Sequence, residues 1–338
     1  MNKLLDCVIN KKLSRVPVWF MRQAGRYLPE FREIRKNNQN FIKLCLNTKL
    51  VIEITLQPIN RFNLDAAIIF SDILIIPYGL GQEVKFKKEE GPTLGNLDLD
   101  KIINTKPEDF IERMQPVYES IREVKKKIKN KSCIGFVGAP WTLLVYMLNR
   151  RSPKKDFDLN VVIKEKSLIS KLLKKIEDTI CLHIDWQIDA GANAIQIFDS
   201  WAGLLPQNHL KEYCFRPNSN IVRHIHNKYH REIPAICFPR GIGKNYLDFC
   251  EIVRPSCISI DYETDPRWAK ETLKEIPVQG GLDPKVLLKD HESIKKEVEN
   301  YLNIFSGYPY VFNLGHGVLP ETKPETIEYI IQIVRNRT

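Results

Sequence analysis

LISKLLKKIEDTICLHIDWQIDAGANAIQIFDS, residues 168–200, holds one complete helix-to-strand unit. Leu168, Leu172, Ile176, Ile180, Ile184 and Ile188 recur every four residues, which lays them along one face of a helix spanning 168–190. Gly191 follows as a helix stop, because glycine takes the left-handed C-terminal conformation at little cost. A nearly apolar run from Ala194 to Phe198 comes next and breaks off at Asp199-Ser200. A short apolar run bounded by turn residues reads as a strand buried on both faces, the kind found in parallel sheets.

The same rhythm extends in both directions. Short β-rich runs lie at 17–20, 66–70, 133–137, 194–198, 235–238, 257–260, 277–279 and 310–314, and longer segments separate them. Near the C-terminus, Pro324 suits a first helical turn, and Ile327, Ile330, Ile331 and Val334 form its apolar face. Eight strands alternating with helices predict a (β/α)8 TIM-type barrel, one domain over 1–338, with its cleft at the C-terminal ends of the strands. An open doubly wound sheet is the rival, but no Gly-x-Gly-x-x-Gly follows the first strand, which removes its dinucleotide-binding form.

Composition narrows the class. The 338 residues are 43% hydrophobic and 27% charged, an ordinary globular balance. No stretch approaches ~18 consecutive apolar residues, so no transmembrane helix is expected. The start, Met1-Asn2-Lys3-Leu4-Leu5-Asp6-Cys7, lacks the apolar core of a signal peptide, so a cytoplasmic protein is expected. The eight cysteines contain no Cys-x-x-Cys pair and read as reduced, mostly buried residues and not as a zinc site. The net charge of +10 raises the question of nucleic acid. Its lysines fall in short runs such as Lys125-Lys126-Lys127, which read as solvated helix faces, so no nucleic-acid partner is expected. A positive field can still help to capture a polyanionic small molecule.

The informative residues follow the strands. The first is followed by Arg22-Gln23-Ala24-Gly25-Arg26, the second by Ser71-Asp72, the fourth by Asp199-Ser200 and the last by Gly315-His316-Gly317. In a barrel these positions share one rim. Arg22 and Arg26 would share a solvated face if helical, but the intervening Gly25 favours a loop whose two guanidiniums grip carboxylate or phosphate. Asp72 suits a helix cap or catalysis equally well. His316, between two glycines, has little side-chain cover from its neighbours, so a role in core packing is less natural. Tyr146 and Ser200 carry no signal by themselves.

Several of these stretches resemble one enzyme family. PVWFMRQAGRYLPE at 17–30 is similar to the N-terminal signature of uroporphyrinogen decarboxylases. The resemblance continues at LDAAIIFSDIL (64–74), GAPWTL (138–143), IFDSWAG (197–203) and FNLGHG (312–317). It implies a homodimer of single-domain barrels that needs no cofactor or metal and converts uroporphyrinogen III to coproporphyrinogen III. It further implies that Arg22 and Arg26 bind substrate carboxylates and that Asp72 accepts pyrrole N–H groups and stabilises positive charge. Tyr146, Ser200 and His316 would complete the pocket, the backbone of Gln23, Ala24 and Gly25 would lie in the binding loop, and Phe41 would line the cleft.

The chain departs from the family pattern at Tyr78-Gly79-Leu80-Gly81, at Arg240, where lysine is common, and at Gly281, where asparagine is common. A zinc-dependent corrinoid or thiol methyltransferase on the same barrel would need a His-x-Cys pair, and none of the seven histidines has a cysteine two positions on. A non-catalytic porphyrin binder would need the arginines but not Asp72.

Overall fold

The computed structural model describes residues 2–12, 15–87, 91–153, 157–274 and 276–337. Its strands, in chain order, are β1 (Ala66–Ile68), β2 (Val84–Lys87), β3 (Gly91–Leu94), β4 (Ser132–Gly138), β5 (Ala194–Asp199), β6 (Ala235–Pro239), β7 (Cys257–Ile260), β8 (Val278–Gly280) and β9 (Tyr310–Val311). Seven of them form one parallel sheet in the order β1-β4-β5-β6-β7-β8-β9, with helices between. Neighbours in sequence are neighbours in the sheet, as helical crossovers between parallel strands require.

The expected first strand, 17–20, is instead a single parallel bridge from Val18 to Phe312. Phe312 N–H donates to Pro17 O at 2.9 Å, and Asp65 N–H donates to Val18 O at 3.0 Å, so the segment spans the gap between β9 and β1. No regular ladder develops, because Pro17 has no N–H and Val18 N–H is taken by the Asp65 side chain at 3.0 Å. Lys3 anchors the same carboxylate from the other side at 2.8 Å.

The unit 168–200 folds as expected, with the helix running Lys166–Asp189 and β5 starting at Ala194. Gly191 has φ +113°, beyond the comfort of an L-residue. Leu172, Ile176, Ile180 and Ile184 are fully buried, while Leu168 and Ile188 are only half-buried. A spacing of four drifts against a helical period of 3.6, so the ends of the stripe rotate off the core face.

The barrel interior is a separate apolar cluster including Trp19, Ile134, Ala194, Ile236, Cys257 and Val311. The helix Lys3–Val8 closes its N-terminal end with Leu4, Cys7 and Val8. A polar strut crosses the interior. Trp19 Nε1 donates to Gln279 at 2.9 Å, and Gln279 Nε2 donates to Gln196 at 3.0 Å and to Ser259 at 2.6 Å. Both ends of the Gln279 amide are satisfied, and losing one of these bonds would cost about 1–3 kcal/mol, whereas the buried Gln196 Nε2 has no partner among the described residues. The sheet thus holds a filled core, and the open space lies above it at the C-terminal ends.

Candidate active site

A cleft of about 1460 Å³ opens at that end. Its floor is aromatic. Phe136, Phe198 and Phe238, from three adjacent strands, meet edge-to-face at 5.7 and 6.4 Å. Its cationic lining is Arg22, Arg26, Arg32, Arg35, Lys36, Lys87 and Arg240, and Asp72 is the one carboxylate among the described lining residues. A low-dielectric cleft with that balance focuses a positive field on its contents.

The loop after the 17–20 segment carries Arg22, which sits at φ +61°. That left-handed backbone costs a non-glycine residue about 1–2 kcal/mol, and its neighbours hold it. Met21 N–H donates to Asn313 at 3.0 Å, and Val318 N–H donates to Met21 O at 2.9 Å. Gln23 is a buried scaffold whose side chain accepts from Phe20 N–H at 3.1 Å and donates to Ala66 O at 3.0 Å. It is absent from the cleft lining, which includes Arg22, Ala24, Gly25 and Arg26. Gly317 lets the Arg22 stem lie flat, since a Cβ there would come within 2.4 Å of Arg22 Cδ.

Asp72 follows β1, and its side chain caps the next turn by accepting Leu74 N–H at 2.8 Å. The capping and cleft-facing readings therefore hold together. Burial pushes its carboxyl up to about 6, opposed by the Leu74 N–H and by the charge of Arg22. Burial also lowers the Arg22 pKa, an effect that Asp72 opposes. No direct ion pair joins the two, so each keeps hydrogen-bonding capacity for a ligand.

Tyr146 reaches in from the helix Pro140–Asn149, its ring 5.9 Å from Trp201, and burial raises its phenol pKa. Ser200 lines the cleft from the loop after β5. That loop is clamped to the same helix, because Thr142 donates to Asp199 at 2.7 Å and Trp141 Nε1 donates to Trp201 O at 2.9 Å. Phe41 stands on the opposite wall, 4.6 Å from Phe86 and beneath the Arg35 guanidinium. His316 accepts Gly317 N–H at Nδ1 over 2.7 Å, which leaves Nε2 to carry the ring proton. Burial, with Arg22 and Arg240 adding to it, drives its pKa down to about 3, so the ring is neutral at pH 7.

The expected residues Arg22, Ala24, Gly25, Arg26, Phe41, Asp72, Tyr146, Ser200 and His316 all share this cleft. Sequence reasoning missed Arg32, Arg35 and Lys36 on the helix Pro29–Asn37, and the β2–β3 hairpin that brings Phe86 and Lys87 to the rim. Ser71 was noted beside Asp72 but given no role; its buried Oγ lacks a hydrogen-bond partner.

Among the described residues, no three His, Cys, Asp or Glu side chains gather as metal ligands do, and no helix is long and apolar enough to cross a membrane.

Fold and cleft together define a parallel α/β barrel with a cationic cleft at the C-terminal ends of its strands. The model of the family uroporphyrinogen decarboxylase (URO-D) matches residues 1–337. The uroporphyrinogen decarboxylase of Rickettsia bellii (strain RML369-C) is 40% identical over 335 residues, covering 98% of each chain. That of Wolbachia pipientis wMel is 40% identical over 328 residues, covering 97% of this chain and 96% of its own. The chain belongs to the uroporphyrinogen decarboxylase family. A solved methyltransferase from Methanosarcina mazei superposes with a TM-score of 0.81, covering 99% of this chain and 98% of its own. At 16% identity that likeness speaks for the barrel fold alone.

Proposed function

We propose that this cleft removes CO2 from the four acetate arms of uroporphyrinogen III to give coproporphyrinogen III, without a cofactor. The observation that carries the reading is a single carboxylate among the described lining residues, Asp72, set among seven cations over an aromatic floor. A tetrapyrrole macrocycle carrying eight carboxylates needs those three features: apolar surface for its rings, arginines for its arms, and one anion for charge that appears during reaction.

The chemistry needs an electron sink. A proton added to a pyrrole carbon makes the ring cationic. The C–CO2 bond then breaks with its electron pair flowing into the ring. A second proton on the methylene carbon makes the methyl group as the ring releases the first, so each arm consumes one proton and releases one CO2. The Asp72 carboxylate, accepting from pyrrole N–H groups, stabilises the ring cation as it develops. Arg22 and Arg26 hold arm carboxylates with forked, permanently charged donors. Tyr146, Ser200 and the Nε2–H of His316 supply further hydrogen bonds, the backbone of Gln23, Ala24 and Gly25 shapes the loop, and Phe41 packs against the macrocycle. The working protein is a cytoplasmic homodimer of single-domain barrels spanning 1–338.

Release of labelled CO2 from uroporphyrinogen III carrying label in its acetate carboxyls tests the reading, and absence of release from folded protein rejects it. Because Asp72 must be ionised and its pKa lies at about 6, kcat/KM should fall as pH drops through that value. A rate that stays flat down to pH ~5 would remove the need for its charge. Gly317→Ala forces the Arg22 stem aside and should weaken substrate binding about 10-fold in a folded protein, whereas unchanged affinity would show that Arg22 is not held this way.

A further inference from the structure

We infer that Arg240 joins Arg22 and His316 as a second carboxylate-binding station, reaching into the cleft from the wall opposite the Arg22 loop. The inference rests on the decarboxylase reading for the identity of the ligand, but the station itself is built from this chain's geometry. Counting around the closed sheet from the 17–20 segment, β6 is the fourth position in either direction. Arg240 directly follows β6, so it and Arg22 approach the same space from opposite sides.

The mounting of Arg240 is rigid. Its own N–H donates to Asp199 O at 3.1 Å, and its carbonyl accepts Gly203 N–H at 2.9 Å. The next residue, Gly241, donates its N–H to Asp261 at 2.7 Å. Asp261 is a buried post, fixed by Tyr246 at 3.2 Å and Thr264 at 2.8 Å. Gly203 and Gly241 pass so close that a Cβ on Gly203 would lie 2.8 Å from Gly241 O. This backbone work fixes a side chain that, among the described residues, has neither a hydrogen-bond partner nor an ion-pair partner.

The charges favour a ligand. Two guanidiniums facing one space repel each other, and the neutral His316, which feels both, offers a donor at Nε2. All three donors line one cleft, and among the described residues none of them donates to a protein acceptor. A carboxylate between them relieves the repulsion and accepts from all three. Asp72 lies in the same cleft but forms no ion pair with Arg22 or Arg240, so it does not fill this role.

The test is equilibrium binding of oxidised uroporphyrin, an unreactive eight-carboxylate probe, to wild type, Arg240→Gln and Arg240→Lys. We expect about 10- to 100-fold weaker binding for Arg240→Gln and an intermediate loss for Arg240→Lys, which keeps the charge but not the fork. Partial recovery of binding by the lysine variant relative to the glutamine variant is a response that loss of packing alone would not give. Wild-type affinity in both variants overturns the assignment. If wild type binds the probe but never decarboxylates uroporphyrinogen III, the decarboxylase reading fails, while weakened binding by the variants still upholds the carboxylate station. Should the glutamine variant fail to fold, the lysine variant alone decides.

Discussion

Asp72→Asn is expected to lower kcat by about 10²- to 10³-fold while leaving substrate affinity within a few-fold of wild type. Asparagine keeps the shape of the side chain and can still accept Leu74 N–H, so the turn after β1 survives. What disappears is the negative charge, and that charge matters only when the pyrrole becomes cationic. The same substitution should stabilise the fold at neutral pH. Burial raises the Asp72 pKa from 3.8 to about 6, so ionising it works against the folded state. Allowing for screening by water in the cleft, relief of that penalty is worth about 1–2 kcal/mol. The advantage should be present above pH ~6 and vanish as pH falls below ~4, where wild-type Asp72 is protonated whether the chain is folded or unfolded. A variant that is less active yet more stable marks a residue retained for chemistry. Denaturant melts and steady-state kinetics on one preparation measure both, and wild-type turnover would reject the role.

Arg22→Ala is expected to raise the substrate Kd by about 100-fold and to leave the melting temperature nearly unchanged. A forked guanidinium holding a carboxylate contributes about 1.5–3 kcal/mol, and this one stands in a cleft where water competes poorly. Stability should change little, because Arg22 forms no ion pair among the described residues and alanine bears the same left-handed backbone cost. Affinity equal to wild type would leave Arg26 and Arg240 as the binding arginines and remove Arg22 from the clamp.

Much of this site was readable before the structure, for a physical reason. Parallel strands buried on both faces leave apolar runs, and a barrel sends whatever follows each run to one rim. Asp72, Ser200, Arg240 and His316 could therefore be placed together from strand ends alone. The closing segment 17–20 was readable as an apolar run but not as a bridge, because the interruption comes from Asp65, whose side chain replaces a neighbouring strand's carbonyl. The β2–β3 hairpin was missed, since Val-Lys-Phe-Lys alternates over too few residues to stand out. Arg32, Arg35 and Lys36 looked like any solvated helix face, and only the packing of the helix Pro29–Asn37 beside the cleft gives them a direction.

The most direct test counts carboxylates. Purified protein incubated anaerobically with uroporphyrinogen III is sampled over time, and the product's carboxylates are counted by mass spectrometry. The account predicts stepwise loss of four, from eight carboxylates to the four of coproporphyrinogen III. A substrate that keeps all eight in the presence of folded protein would contradict it.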